Sequence, residues 1–177
     1  MDRQVVRLCR LRLDSHYAPK ISACLESLPG VDINQTAALG HSIEGLVRHI
    51  LAHLRKAAVW AGEDAQYASK VPNDISTFFP EHGANTDELR REAEETFARL
   101  SHALRWIESR SPESNTQLDL QRLLHLVEHV SYHLGQVVLL AKMKTGKDFN
   151  FAQSGLDEAQ LRAQLRQLEA HELQQDK

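Results

Sequence analysis

Apolar residues recur three and four positions apart along almost the whole chain, and no stretch sustains the strict alternation of a half-buried strand. The pattern predicts an all-α protein. In the first segment the apolar positions are Val5, Leu8, Cys9, Leu13, Tyr17, Ile21, Cys24 and Leu28. Pro19 interrupts that run and predicts a kink, or a helix start just before it, and Pro29-Gly30 ends it. After a polar stretch, Ser42 reads as an N-cap with Glu44 in the first turn. The second helix then carries Ile43, Leu46, Val47, Ile50, Leu51, Leu54 and Ala58 and ends near Gly62.

Between residues 63 and 84 the pattern dissolves into Pro72, Asn73, Asp74, Pro80 and Gly83 around an apolar pair, Phe78-Phe79. A connection of that length reads as a lid, a binding loop or a mobile segment. Asn85 with Glu88 three residues later opens a third helix in the manner of a capping box. That helix continues through Leu89, Ala93, Phe97, Leu100, Leu104 and Ile107 and stops before Pro112. Thr116 and Asp119 announce a fourth, from about Leu118 to Lys144, closed by Gly146. A last amphipathic stretch, 156–173, carries Leu161, Leu165 and Leu168 and suits packing, self-association or fraying. The expected architecture is a four-helix bundle over residues 1–150, with a long connection between helices 2 and 3. Residues 151–177 are expected as a C-terminal helical extension of the same domain.

Composition narrows the function classes. A chain of 177 residues with 42% hydrophobic and 25% charged residues suits one globular domain rather than disorder. The net charge of -3 gives no electrostatic reason to expect nucleic acid, and Arg3, Arg7, Arg10 and Arg12 read as a solvated helix face. No run approaches the roughly 18 apolar residues of a membrane span. The first residues contain Arg and lack the apolar core of a secretory signal. Cys9 and Cys24 read as reduced packing thiols, and the expected location is cytoplasmic.

The candidate chemistry lies in the histidines. His41, His49 and His53 fall on the second helix, and His125, His129 and His133 fall on the fourth. Residues four apart on a helix share a face, so each H-x-x-x-H pair can meet one ion. A rise of about 1.5 Å per residue separates positions eight apart by about 12 Å, too far for a shared ion whose bonds are about 2 Å long. The fourth helix therefore offers either His125 with His129 or His129 with His133. The second offers His49, His53 or both, and His41 lies out of reach. H-E-x-x-H, G-x-S-x-G, Walker-A and G-x-G-x-x-G patterns are absent.

The run from His125 through Glu128, His129, Tyr132, His133, Gly135 and Gln136, continuing to Lys142 and Phe149, resembles the fourth helix of the DinB/YfiT-like superfamily. Its pattern there is H-x-x-x-H-x-G-Q. Residues 42–50, with Gly45 and His49, are similar to that superfamily's second-helix motif, and 17–28 to the start of one poorly characterised branch. The similarity covers roughly residues 10 to 150. It implies a metal site of His49, His129 and His133, with zinc, nickel or iron bound and one coordination position open. His53, His125, Gln136 and Tyr132 are then candidates for lining the cavity or supporting the ligands. Two departures stand out: His53 occupies a place where a neutral polar residue is expected, and the expected aromatic arrives late, at Trp60.

What the resemblance implies is a metal-dependent enzyme that activates a thiol or a water, of thiol S-transferase or hydrolase type. The substrate is a small molecule, such as a low-molecular-weight thiol. Glu44 and Glu128 join Tyr132 and Gln136 as polar candidates near the site, although helical phase turns Glu128 away from His129. The competing expectation is a non-catalytic metal-binding or dimerising bundle, a homodimer built through 156–173. Neither nucleic acid nor membrane is an expected partner.

Overall fold

Helical periodicity becomes helix throughout the regular structure of the computed structural model, which describes residues 3–28, 32–36, 40–68, 79, 83–109, 120–149 and 166. By contact the chain divides into two units, Met1–Lys147 and Asp148–Lys177. The expected amphipathic helix at 156–173 lies outside the described residues, Arg166 aside.

In the first unit, α1 (Arg3–Leu11) runs through a π-helical stretch, Arg12–Tyr17, directly into α2 (Ala18–Glu26). The cause is Pro19. It has no N–H to give the carbonyl one turn back, and the wider turn placed ahead of it absorbs the mismatch without ending the helix. In α3 (Ile43–Trp60), Ser42 is the N-cap and its Oγ accepts from the Gly45 N–H at 2.9 Å. Past the end of α3, Gly62 takes φ +113°, and a Cβ there would lie 3.1 Å from the Trp106 ring. A short α4 (Ala65–Ala68) follows.

The capping box forms at the start of α5 (Thr86–Ser109): Glu88 N–H donates to Asn85 Oδ1 at 2.9 Å, and Asn85 N–H donates to Glu88 at 3.2 Å. The long helix α6 (Leu120–Thr145) ends where Gly146, at φ +64°, donates its N–H to the Lys142 carbonyl. The expected start signal at Thr116 and Asp119 lies outside the described residues.

Helix α3 packs on α5 and α6, and α1 and α2 pack on the same two helices. Val6, Leu13, Ile21 and Leu25 from the N-terminal segment meet Leu89, Phe97 and Leu104 of α5 and Val130 and Val137 of α6 in one apolar core. Each fully buried side chain of this size contributes about 1.5–3 kcal/mol of transfer free energy. Cys9 and Cys24 are buried free thiols. Burial pushes the Cys24 thiol up to about 12 and raises Cys9 too, the latter opposed by Arg12. Both are inert packing residues.

Two charged networks cross this core. Arg10 corrects the sequence reading of a solvated arginine face: it is 1% exposed, and its Nε and Nη2 donate to Glu108 on α5 at 2.7 and 3.2 Å. Position 10 falls on the buried side of α1 with Val6 and Leu13, and the buried guanidinium is compensated by Glu108 and, at 3.8 Å, by Asp14. Glu44, fully buried, accepts from Arg48 Nε at 2.7 Å and from the backbone N–H groups of Gly83 and Ala84 at 3.2 Å. Arg48 and Arg55 both reach Glu92 on α5, at 2.7 and 2.6 Å. Among the described residues no helix is long and apolar enough to cross a membrane.

Candidate metal centre

Helices α3 and α6 pack along a seam, α3 burying Leu46, Ile50 and Leu54 among its apolar residues and α6 burying Leu126, Val130 and Val137. Into it each helix inserts imidazoles one turn apart: His49 and His53 from α3, His129 and His133 from α6. The ring centroids of His49 lie 4.9 Å from His129 and 4.5 Å from His133, and His129 and His133 are 4.5 Å apart. One ligand atom from each of His49, His129 and His133 lies within 4.8 Å of the others, a group that can hold a metal ion. Tetrahedral coordination at about 2.0–2.1 Å sets ligand nitrogens roughly 3.3 Å apart, so small side-chain rotations close these three around one ion. His49 Nε2 and His129 Nε2 are already 2.9 Å apart, sharing a proton where an ion would take both lone pairs.

The surroundings orient the ligands. His133 Nδ1 lies 2.7 Å from Gln136 Oε1, one turn later on the same helix. An amide oxygen only accepts, so Nδ1 carries the proton and Nε2 presents its lone pair. Holding a ligand's far nitrogen in this way is the usual support for a metal-bound histidine. Phe79 covers one side, its ring 3.7 Å from His41, 4.8 Å from His49 and 6.0 Å from His133. It comes this close because residue 45 is glycine: a Cβ there would lie 2.8 Å from Phe79 Cβ.

Burial is the main electrostatic influence. It pushes His53 down to about 3, assisted by the nearby His129 and His49, and pushes His129 down to about 4, assisted by His133 and His125. His133 is lowered by burial, against its hydrogen bond to Gln136 and with a smaller contribution from His41. These three imidazoles are therefore neutral at pH 7, the form that offers a lone pair to a metal.

Of the two pairs that helix rise allowed on the fourth helix, the close group takes in His129 and His133. His125 is exposed, its ring 5.8 Å from His129. The His53 ring lies tilted 4.0 Å from His129 and edge-on 4.8 Å from His49 while remaining outside the three-ligand group. Tyr132 is 66% exposed and meets His133 edge-on at 5.0 Å. Glu128 is exposed, and Glu44 accepts from Arg48 Nε and from the backbone N–H groups of Gly83 and Ala84.

Sequence reasoning missed two neighbours. His41 precedes the N-cap instead of lying on α3, so helix rise does not limit it, and it stacks on Phe79 beside the site. Phe79 itself was legible only as an apolar contact; the glycine at 45, inside a helix, was the signal that something approaches closely. No family model, curated protein or solved structure matches the chain.

Proposed function

We propose that the protein is a metal-dependent enzyme built on a four-helix bundle of the DinB/YfiT-like kind, with His49, His129 and His133 as ligands to zinc, nickel or iron. The observation that carries this reading is the convergence of three ligand nitrogens from two facing helices within 4.8 Å. Neutral imidazoles, a Gln136 oxygen that fixes one ligand's tautomer, and the absence of any carboxylate paired with His53, His129 or His133 among the described residues all suit a divalent cation. Three histidines leave a coordination position open, as catalytic rather than structural sites do. A divalent ion held there supplies Lewis acidity that lowers the pKa of a thiol or a water at that position. Phe79 packs beside His49 and His133, both buried, and Gln136 holds His133 in register. The reaction class is thiol transfer or hydrolysis on a small molecule.

Metal analysis of the untagged protein tests this reading. The parent and His125→Ala carry one ion per chain, and His129→Ala carries none. A parent that stays empty after reconstitution with zinc, nickel and iron sinks the proposal, and retention by His129→Ala overturns the ligand assignment. One observation favours a second reading, a dimerising bundle in which the ion braces α3 against α6: Leu124, Tyr132, Leu139 and Met143 on α6 are 45–68% exposed. A monomer at micromolar concentration in sedimentation equilibrium removes that reading.

A further inference from the structure

A cleft of about 600 Å³ lies between the C-terminal half of α3 and the first turns of α6, lined by His53 and Trp60 from one and by Arg122, Leu124, His125 and Glu128 from the other. Its size falls in the range of roughly 300–1,000 Å³ typical of small-molecule sites. His53 is shared: it walls the cleft and its ring touches those of His129 and His49. Trp60 stands seven residues beyond His53 on α3, and Arg122 seven residues before His129 on α6. At about 1.5 Å per residue, the Trp60–Arg122 end is on the order of 10 Å from the imidazole end.

The two ends differ in chemistry. The Arg122 guanidinium carbon lies over the Trp60 ring, 5.3 Å from its centroid, and among the described residues no carboxylate pairs with it. A guanidinium resting on an aromatic ring leaves N–H groups available, a fork that matches a carboxylate in two parallel hydrogen bonds. Leu124, 45% exposed, offers an apolar surface beside it. Glu128, exposed and likewise without an ion-pair partner among the described residues, places a negative charge on the same wall. It disfavours a ligand with a second anionic group.

We propose that this cleft binds a small monocarboxylate with an apolar body, about 10 Å long, its carboxylate on Arg122 and its body over Leu124 and Trp60, with the far end beside His53. That the far end meets a metal ion rests on the function proposed above. The carboxylate site does not depend on it.

The test is calorimetric titration of the full chain, chelator-treated and then zinc-loaded, with 4-phenylbutyrate and with its uncharged amide as probes. The acid binds the metal-free protein, and the amide binds about tenfold more weakly or worse, the size expected for loss of a charged hydrogen-bonded pair. Arg122→Gln loses a similar factor for the acid at unchanged zinc content, and Glu128→Gln binds the acid at least as tightly as the parent. Equal affinities for acid and amide, no binding of the acid, or indifference to Arg122→Gln overturn the proposal. Acid binding that needs zinc and ignores Arg122→Gln also overturns it, because the carboxylate is then on the ion, and the metal reading stands. Acid binding that needs Arg122, in a protein that takes up no zinc, upholds the cleft while the metal reading falls.

Discussion

Helix α3 buries polar groups on two sides, and the two sides are satisfied in different ways. Toward α5, Arg48 and Arg55 share Glu92, while Glu44 takes Arg48 and two backbone N–H groups, so opposite charges answer one another. Toward α6, like meets like: His49 and His53 face His129 and His133, and no carboxylate among the described residues pairs with His53, His129 or His133. The first arrangement balances its own charges without a ligand and holds helices together. The second gathers neutral lone pairs in one place, an arrangement suited to a cation from outside. Burial of polar groups alone does not mark a functional site; what distinguishes the two seams is whether the protein supplies the counter-charge.

Breaking the first seam has the largest effect on folding. Glu44→Ala removes one of the two carboxylates on Arg48 and the acceptor of two backbone N–H groups, and should cost about 3 kcal/mol or more in urea unfolding, with the metal stoichiometry of the parent retained. Loss of stoichiometry with it would make the two seams one unit. Next in size is the contribution of the ion. Zinc at a hundredfold excess over its Kd should raise the parent's unfolding free energy by about 2.7 kcal/mol and leave His129→Ala unmoved. Gly45→Ala follows: the new Cβ meets Phe79 at 2.8 Å, and overpacking of this kind costs about 1–3 kcal/mol. Chemical denaturation measures it, and a change in metal off-rate reports the displaced ring.

How far these seams were legible in the sequence depends on the range of the forces behind them. Ser42, the Asn85–Glu88 box and Gly146 act within one turn, so their signals sit beside the helices they cap. Helix rise alone limited the imidazole pairs. It left two on the fourth helix, and the structure groups His129 and His133 with His49. Arg10 was misread because its partner, Glu108, is 98 residues away and only packing brings them together. Phe79 and His41 were missed for the same reason. The DinB/YfiT-like resemblance goes beyond anything that periodicity or spacing supplied.

Acid gives a smaller but sharper contrast. His53 and His129 titrate at about 3 and 4 in the folded protein, against 6.5 when free, because burial disfavours the charged imidazole. The unfolded chain therefore binds more protons between those values. Stability of the metal-free protein should be full above pH 6.5 and decline as pH falls toward about 4, a trend that His53→Gln flattens in pH-dependent melting. By the same sign, ligand protonation should release the ion only well below pH 6.5. Release near 6.5 would show that the imidazoles are not desolvated. The smallest expected effect is that of His125→Ala, which leaves metal affinity within about twofold of the parent, as surface substitutions do.

The central claim is that one ion is shared between the two helices, with His49 reaching across to His129 and His133. X-ray absorption on the zinc-loaded protein tests it most directly. The account predicts three imidazole nitrogens at about 2.0–2.1 Å in the parent and two in His49→Ala. An unchanged nitrogen shell in His49→Ala would contradict it.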